Sequence, residues 1–452
     1  MLFDTPPKNW QISTLGEICQ EGGGDIQTGP FGSQLHASDY VFSGIPSIMP
    51  ANIKEGRVSE EGIARITEAD ARRLSKYLTK AGDIVYSRRG DVERCALIRK
   101  REEGWLCGTG CLRVRPGSGV VDPDFCSHFL SHPETKEWIS RHAVGATMPN
   151  LNTQILSALP VLLPSLQEQK AIAHILGTLD DKIELNRKTN ETLEAMAKAI
   201  FKSWFVDFDP VKAKAEGRPT GLPAEISDLF PDSFEDSELG EIPNGWRVME
   251  LGMVSTFLNG YAFKSSDWQE HGVPVVKIGS VKPGFVDVDN VSFVSDEIAV
   301  SKDRYRLSPG DILIGMTGYV GEVGLVPISE SPPLLNQRVG RVAPMSDAIV
   351  SRSFLYNWMR TSSFKDSVEV LSHGSAQANV SSDSIQSIPH AIPSSEIERA
   401  FASICEPILD RLLEGHREQK LLANIRDALL PKLISGEIRI PDAEKMLEEV
   451  GV

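Results

Sequence analysis

Residues 166–204 read LQEQKAIAHILGTLDDKIELNRKTNETLEAMAKAIFKSW, and this stretch decides how the chain is organised. Ile172, Leu176, Leu179, Ile183, Asn186, Asn190, Leu193, Ala197, Ile200 and Trp204 follow one another in steps of four and three, which is the seam of a coiled coil. The run of 39 residues would span about 58 Å as a helix. A second run near the C-terminus repeats the pattern: Ile397, Phe401, Ile404, Ile408, Arg411, Gly415, Glu418, Leu422, Ile425 and Leu429. Both seams turn polar at mid-length, through Asn186 and Asn190 in the first and Arg411, Gly415 and Glu418 in the second. Matching lengths and matching polar midpoints predict that the helices pair with each other, antiparallel, rather than each lying on a separate core. Polar seam residues cost stability and fix register, so leucine at 186 and 190 is expected to stabilise the pair while permitting wrong registers. Pro407 is expected to bend the second helix slightly.

Outward from the helices, the chain is a tandem repeat. Pro7-Lys8-Asn9-Trp10 with Leu15-Gly16 recurs as Pro243-Asn244-Gly245-Trp246 with Leu251-Gly252, an offset of 236. Gly44-Ile45-Pro46 recurs as Gly272-Val273-Pro274, and Gly82-Asp83-Ile84 as Gly310-Asp311-Ile312, both at 228. Asn150, Pro160, Pro164 and Ser165 recur as Asn379, Pro389, Pro393 and Ser394, at 229. Four blocks in one order mark a duplication of a unit far longer than a solenoid repeat. Val273–Ile278 and Asp311–Ile314 read as strands, Ser127–Ile139 and Ser353–Met359 as short helices. The predicted fold class is therefore mixed α/β: two tandem α/β domains separated by two long antiparallel coiled-coil helices, with pseudo-twofold symmetry. The expected boundaries are a first domain over 1–165, a spacer helix over 166–205, a linker over 206–242, a second domain over 243–394, a C-terminal spacer helix over 395–436 and a tail over 437–452. The linker carries Asp209-Pro210, Gly217-Arg218-Pro219, Gly221-Leu222-Pro223 and Pro231-Asp232 and is expected to have little regular structure. It is long enough to return the chain along the first helix.

At 452 residues, 41% hydrophobic and 24% charged, the chain has ordinary globular composition. The N-terminus MLFDTPPKNW has no secretory pattern, and the most apolar stretches are about half a membrane span. Six cysteines, few for the length and in no disulfide framework, suggest a reducing cytoplasm. The net charge of −15 counts at first against a nucleic-acid binder, which needs Lys and Arg for phosphates. The charge is unevenly spread, however. Residues 1–165 hold 18 basic and 19 acidic groups and residues 243–394 hold 12 and 15, whereas 166–242 hold 9 and 16 and 395–452 hold 8 and 12. The two α/β domains are near neutral, so the acidity sits on the spacer and tail. The isolated chain is expected to bind DNA weakly, with its complex supplying much of the phosphate contact.

Catalytic motifs do not emerge. There is no phosphate-binding loop, dinucleotide fingerprint, nucleophile elbow, kinase set or amino-methyltransferase tetrapeptide. His128 and His132 are spaced i, i+4, but Phe129 stands where a zinc protease needs Glu. Cys107 and Cys111 form a CxxxC pair without a second pair. Asp124, Glu134 and Lys136 match a loose Mg²⁺-nuclease pattern, but they fall on helical rather than strand segments. A nuclease built on them would cut DNA unaided in Mg²⁺.

Binding residues fare better. Gln27-Thr28-Gly29-Pro30-Phe31-Gly32-Ser33-Gln34 matches Asn259-Gly260-Tyr261-Ala262-Phe263-Lys264-Ser265 in the second half. The candidate DNA contacts are Gln27, Thr28, Ser33, Gln34, Ser87, Arg88, Arg89, Thr147 and Asn150 in the first half. In the second they are Tyr261, Lys264, Ser265, Lys277, Thr317, Tyr319, Gln337, Arg338, Gln377 and Asn379. Gln and Asn can read adenine, Arg guanine or phosphate, and Ser and Thr either base or phosphate. One scaffold carrying two different polar sets suits the reading of two different sequences. The alternative from another class is a two-headed protein–protein adaptor spaced by a coiled coil, which would have no salt-dependent DNA affinity.

The chain resembles the DNA-specificity subunit of type I restriction–modification systems. The resemblance rests on Phe201-Lys202-Ser203-Trp204-Phe205-Val206-Asp207-Phe208-Asp209-Pro210-Val211, on Gln167–Ala173, on Phe230-Pro231-Asp232-Ser233-Phe234, and on Leu430-Pro431-Lys432-Leu433-Ile434-Ser435-Gly436-Glu437-Ile438, and it covers essentially the whole chain. It implies two target-recognition domains, each reading one half of a bipartite double-stranded DNA target. It also implies a helix pair that acts as a ruler and docks two methylation subunits, and restriction/translocase subunits that join this core. S-adenosylmethionine, ATP and Mg²⁺ would be used by those partners, and this chain would have no catalytic residues, cofactor or metal of its own. The second half departs from the family pattern in having no Phe-Asp-Pro continuation after its helix.

Overall fold

The computed structural model describes residues 7–54, 56–145, 148–346, 349–372 and 379–449. The chain divides into two compact units, 1–182 with 422–452, and 183–421. Each unit therefore holds one copy of the repeat together with a stretch of both long helices.

In the first unit Gln11–Thr14 pairs antiparallel with Pro160–Leu163. Thr14 then starts the helix Leu15–Glu21 with a capping box, its hydroxyl accepting from the Glu17 amide while the Glu17 carboxylate accepts from the Thr14 amide. The main sheet is antiparallel, in the order Asp25–Thr28, Cys111–Arg115, Ile84–Ser87, Cys95–Leu97. A second sheet runs Leu106–Cys107, Ile45–Ile48, Ala64–Ile66, Tyr40–Val41, its first pair parallel. Helices Pro123–Ser131 and Pro133–His142 follow, each opened by a proline whose missing N–H costs nothing there.

The second unit reuses this topology. Its main sheet runs Ser255–Asn259, Val339–Pro344, Ile312–Gly315, Val323–Leu325, Gly284–Phe285. Its smaller sheet runs Ser292–Val294, Val273–Val276, Leu334–Leu335, again with one parallel pair. The repeated Gly-Asp-Ile block has a structural role. Asp83 accepts from the Lys80 amide and Asp311 from the Ser308 amide, each at 2.8 Å, closing the turn before the strand. Each carboxylate also holds an arginine of the neighbouring strand, Arg115 at 2.6 Å from Asp83 and Arg341 at 3.4 Å from Asp311. A second internal match is Gln169, which accepts from the Asp122 amide at 2.8 Å, and Glu398, which accepts from the Ser351 amide at 2.7 Å. Each of these long-helix side chains thus caps the start of a domain helix. Burial pushes the Glu398 carboxyl up, with the Ser351 contacts opposing.

The long helices are Leu166–Phe205 and Ser395–Ser435. Within the first unit Asp180 accepts from Arg426 at 2.9 Å. Within the second, Asn190 donates to the Leu412 carbonyl at 3.4 Å, and the Phe201 and Phe401 rings lie 5.8 Å apart. Numbers fall along one helix as they rise along the other, so the pairing is antiparallel. No seam position named for the first helix is exposed. The second helix corrects the sequence reading. Arg411 and Glu418 are exposed and pair with each other at 3.1 Å, while Leu412 is 4% exposed and Gly415 is buried. Its seam at mid-length is Leu412, Gly415, Gln419 and Leu422. The three-four and four-three orders share Ile408, Gly415, Leu422 and Leu429, and only the burial of Leu412 separates them. The helix continues through Pro407.

The linker reading is also corrected. Residues 206–242 contain a helix, Asp209–Ala215, and a hairpin, Phe234–Ser237 with Gly240–Pro243. Val211, Phe230 and Ile242 are buried in the core of the second unit. Phe230 meets Trp204 edge-on at 5.2 Å, so the segment folds back at the end of its own helix rather than returning along it. Phe201, Phe205, Phe354 and Phe401 form one aromatic cluster with ring centroids 5.0–6.2 Å apart. The tail contains a helix, Ile440–Glu449, following Gly436 at φ 72°. Among the described residues no helix is long and apolar enough to cross a membrane.

Two expectations follow from the second unit. A Cβ at Gly415 would lie 2.4 Å from Oδ1 of Asn190. Gly415→Ala should therefore lower stability by about 1 kcal/mol, overpacking outweighing the gain in helix propensity. Adding Asn190→Ala should reverse the sign, as read by urea unfolding of the full chain. Leucine at 190, being larger than asparagine, should destabilise as well. The His390 ring is stacked between Phe201 and Trp358, its Nε2 is buried without a hydrogen-bond partner, and burial holds its pKa down to about 4. The unfolded chain takes up this proton near pH 6.5. Stability should thus fall as pH drops from about 6.5 to about 4, by on the order of 1–3 kcal/mol. His390→Phe should flatten that arm of the stability–pH curve.

Candidate nucleic-acid interface

In the first unit one end of the main sheet gathers Thr28, Ser87, Arg88, Arg89 and Asn150. Gly29 donates its amide to the Cys111 carbonyl, Arg88 to that of Gly110, and Leu151 to that of Arg88, each at 2.9 Å. Arg89 forms an isolated bridge with Asn150. Gly29 has no room for a side chain, since a Cβ there would lie 1.9 Å from the Gly108 carbonyl. The second unit builds the same corner: Met316 donates to the Arg338 carbonyl, Val380 to that of Met316 (each at 3.0 Å), and Thr317 bridges Asn379. Gly260 meets the Asn336 carbonyl at the same 1.9 Å.

The candidates divide by exposure. Ser33, Arg89, Lys264, Ser265, Tyr319, Gln337, Arg338 and Asn379 are exposed, while Gln27, Thr28, Arg88, Asn150 and Tyr261 are half-buried. Others are engaged in the scaffold. Ser87 is 1% exposed and donates to the Arg89 carbonyl at 3.1 Å. Gln34 is held by the Tyr77 hydroxyl at 2.7 Å. Thr317 is buried and donates to Asn379 Oδ1 at 2.7 Å. Lys277 donates to Ser292 at 2.7 Å and lies 3.7 Å from the Trp268 ring centroid, and burial lowers its pKa. Thr147 and Gln377 lie outside the described residues.

The sequence reading passed over two groups. Phe31 is 54% exposed beside Arg88, whose guanidinium is 5.8 Å from its ring, and Val144 and Met148 are exposed next to Asn150. An aromatic inside a Gly-rich polar loop was the available signal for Phe31. Below the surface, Arg113 supports Gln27: it donates to Gln27 Oε1 at 3.2 Å, to Asp25 at 2.6 Å and to the Lys76 carbonyl at 2.8 Å.

The groups weighed for catalysis serve packing. Cys107 and Cys111 are buried, burial pushes the Cys107 thiol up to about 12, and Cys111 donates to the Ile48 carbonyl. His132 Nδ1 caps the helix of Glu134, and burial lowers the pKa of both His128 and His132. Asp124 pairs with Arg99, and Asp124 and Glu134 lie on separate helices. Among the described residues no group of three His, Cys, Asp or Glu side chains could hold a metal.

Two equivalent corners built on related sheets describe one structural module used twice. The profile of the type I restriction modification DNA specificity domain matches residues 7–195 and 243–423. The chain belongs to this family and is a type I restriction–modification specificity subunit, a recognition subunit rather than an enzyme. It is 29% identical over 418 residues to the type I restriction enzyme HindI specificity subunit of Haemophilus influenzae, covering 80% of this chain and 88% of that one. It is 23% identical over 444 residues to the MjaIX specificity subunit of Methanocaldococcus jannaschii, covering 96% and 95%. The crystal structure of the type I restriction–modification S subunit from M. genitalium shares the fold, with a TM-score of 0.62 at 19% identity over 96% of this chain and 97% of that one.

Arg113→Ala should lower stability by about 3 kcal/mol, because the hydrogen bonds of its buried guanidinium to Asp25, Gln27 and the Lys76 and Leu78 carbonyls are lost and those carbonyls are left without this donor. Its repeat mate Arg341 is 28% exposed, so Arg341→Ala should cost about 1 kcal/mol. Urea midpoints of the two variants measure the difference.

Proposed function

We propose that this subunit reads a bipartite DNA target, one half-site per unit, within a complex whose other subunits supply the chemistry. The observation that carries this reading is the pair of equivalent sheet corners that share an asparagine, Asn150 and Asn379, but differ around it: Arg88 and Arg89 in one, Met316 and Thr317 in the other, with Arg338 opposite. A shared scaffold with exchanged polar groups fits the recognition of two unlike sequences. The candidate contacts named from the sequence are the groups that would meet DNA, the exposed ones directly and Ser87, Gln34, Thr317 and Lys277 through the loops that they hold.

The antiparallel helices would set the spacing between half-sites and dock two methylation subunits, which bring S-adenosylmethionine. Restriction/translocase subunits with ATP and Mg²⁺ would complete the cytoplasmic assembly. The excess acid on 166–242 and 395–452 fits protein partners better than phosphates.

Methylome sequencing of a host carrying this chain with its methylation subunits tests the reading. The expected result is one split motif, and exchanging residues 1–165 for those of another such subunit should change one half-site only. A contiguous motif would sink the proposal.

A further inference from the structure

In each unit the strand that follows Gly-Asp-Ile ends on one backbone hydrogen bond. Arg88 donates to Gly110 at 2.9 Å in the first unit, and Met316 donates to Arg338 at 3.0 Å in the second. The offset of 228 makes position 88 equivalent to 316, and position 110 equivalent to 338. The same rung of a duplicated sheet thus carries an arginine in both units, but from opposite strands. Residues that face each other across an antiparallel pair are near neighbours.

Local packing explains the exchange. A Cβ at Gly110 would lie 2.9 Å from Cγ and Cδ of Pro50, so the first unit has no room for a side chain there. Met316 is 9% exposed and packs in the core of the second unit, so a guanidinium there would be desolvated. Each unit keeps its arginine on the strand where the charge reaches water.

Arg338 holds its position in the left-handed region, at φ 68°. That conformation is costly for any residue but glycine. Glycine would be at ease at this φ, yet the second unit keeps an arginine there, whereas the equivalent Gly110 has no positive φ. Strain of this kind points to a use for the side chain. Arg88 and Arg338 form no ion pair among the described residues, while Arg94, Arg113, Arg341 and Arg352 all do.

We propose that this rung is a base-reading position in both half-sites, where Arg88 and Arg338 each present a guanidinium fork to the major-groove edge of a guanine in duplex DNA. Two N–H donors in a rigid planar fork would meet O6 and N7, a geometry that lysine, a flexible point charge, matches less well. The proposal rests on the recognition function above, and the unmodified complex serves as the control that separates the two.

The test is the methylome of hosts carrying the full complex with Arg338→Gly or Arg338→Lys. Arg338→Gly should relax one guanine position of the second half-site, with discrimination falling about 10-fold or more, Arg338→Lys should relax it by less, and both should leave the first half-site intact. Arg88→Lys should do the reverse. The melting temperature of Arg338→Gly should be no lower than that of the unmodified chain, since glycine is at ease at this φ. If Arg338→Gly keeps the full motif, the side chain reads no base and the proposal is overturned. Weakening spread evenly over all sequences by Arg338→Gly overturns it too. If the unmodified complex methylates no split motif, the recognition function falls first and this assignment falls with it.

Discussion

The close packing of one long helix on the other is the contact on which the rest depends. Asn190 sits against the backbone at Gly415, its amide donating to the Leu412 carbonyl. That approach admits no side chain on the opposite helix, so it fixes the register of the pair within the second unit. From there Phe201 and Phe205 reach Phe401 and Phe354, and the domain packs on the resulting cluster. In the first unit Gln169 links the first helix to the start of helix Pro123–Ser131. Each domain is thereby tied to a helix segment by a cap as well as by apolar packing.

The duplication shows which parts of the scaffold are structural. The Gly-Asp turn, its arginine on the next strand, and the glycine pressed on a carbonyl at 29 and 260 recur in both copies. These groups hold the sheet corner and leave the residues around it free to differ. At 88 and 316, and at 89 and 317, the two copies carry unlike side chains at equivalent places, and at 110 and 338 the backbone differs as well. A fold that spends its buried polar groups on geometry can vary its exposed ones without losing the frame.

Much of this was legible in the sequence, for identifiable reasons. Apolar steps of four and three over 39 residues admit few readings other than a paired helix, and no seam position of the first helix is exposed. The second helix misled because its two candidate tracks share Ile408, Gly415, Leu422 and Leu429. Leucine at 412 against arginine at 411 was the deciding local signal, and it was outweighed by the regular alternation. The linker misled because Val211, Phe230 and Ile242 are far apart among Pro, Gly and acids, so no periodicity reveals that they meet in one core. Within the candidate interface, residue type named loops that meet at the ends of the main sheets. It did not separate Arg338, which is exposed, from Ser87 and Thr317, which are enclosed, because that distinction depends on neighbours distant in sequence.

The cysteines have a practical consequence. All six are buried thiols, and burial pushes Cys19, Cys107 and Cys405 each up to about 12, so the reactive thiolate is scarce in the folded chain. Cys19, Cys95, Cys107, Cys111 and Cys126 belong to the first unit, and Cys405 alone to the second. Each unit thus carries its own built-in opening clock. Alkylation of Cys405 keeps time for the second unit, and alkylation of the other five for the first, without any label being introduced.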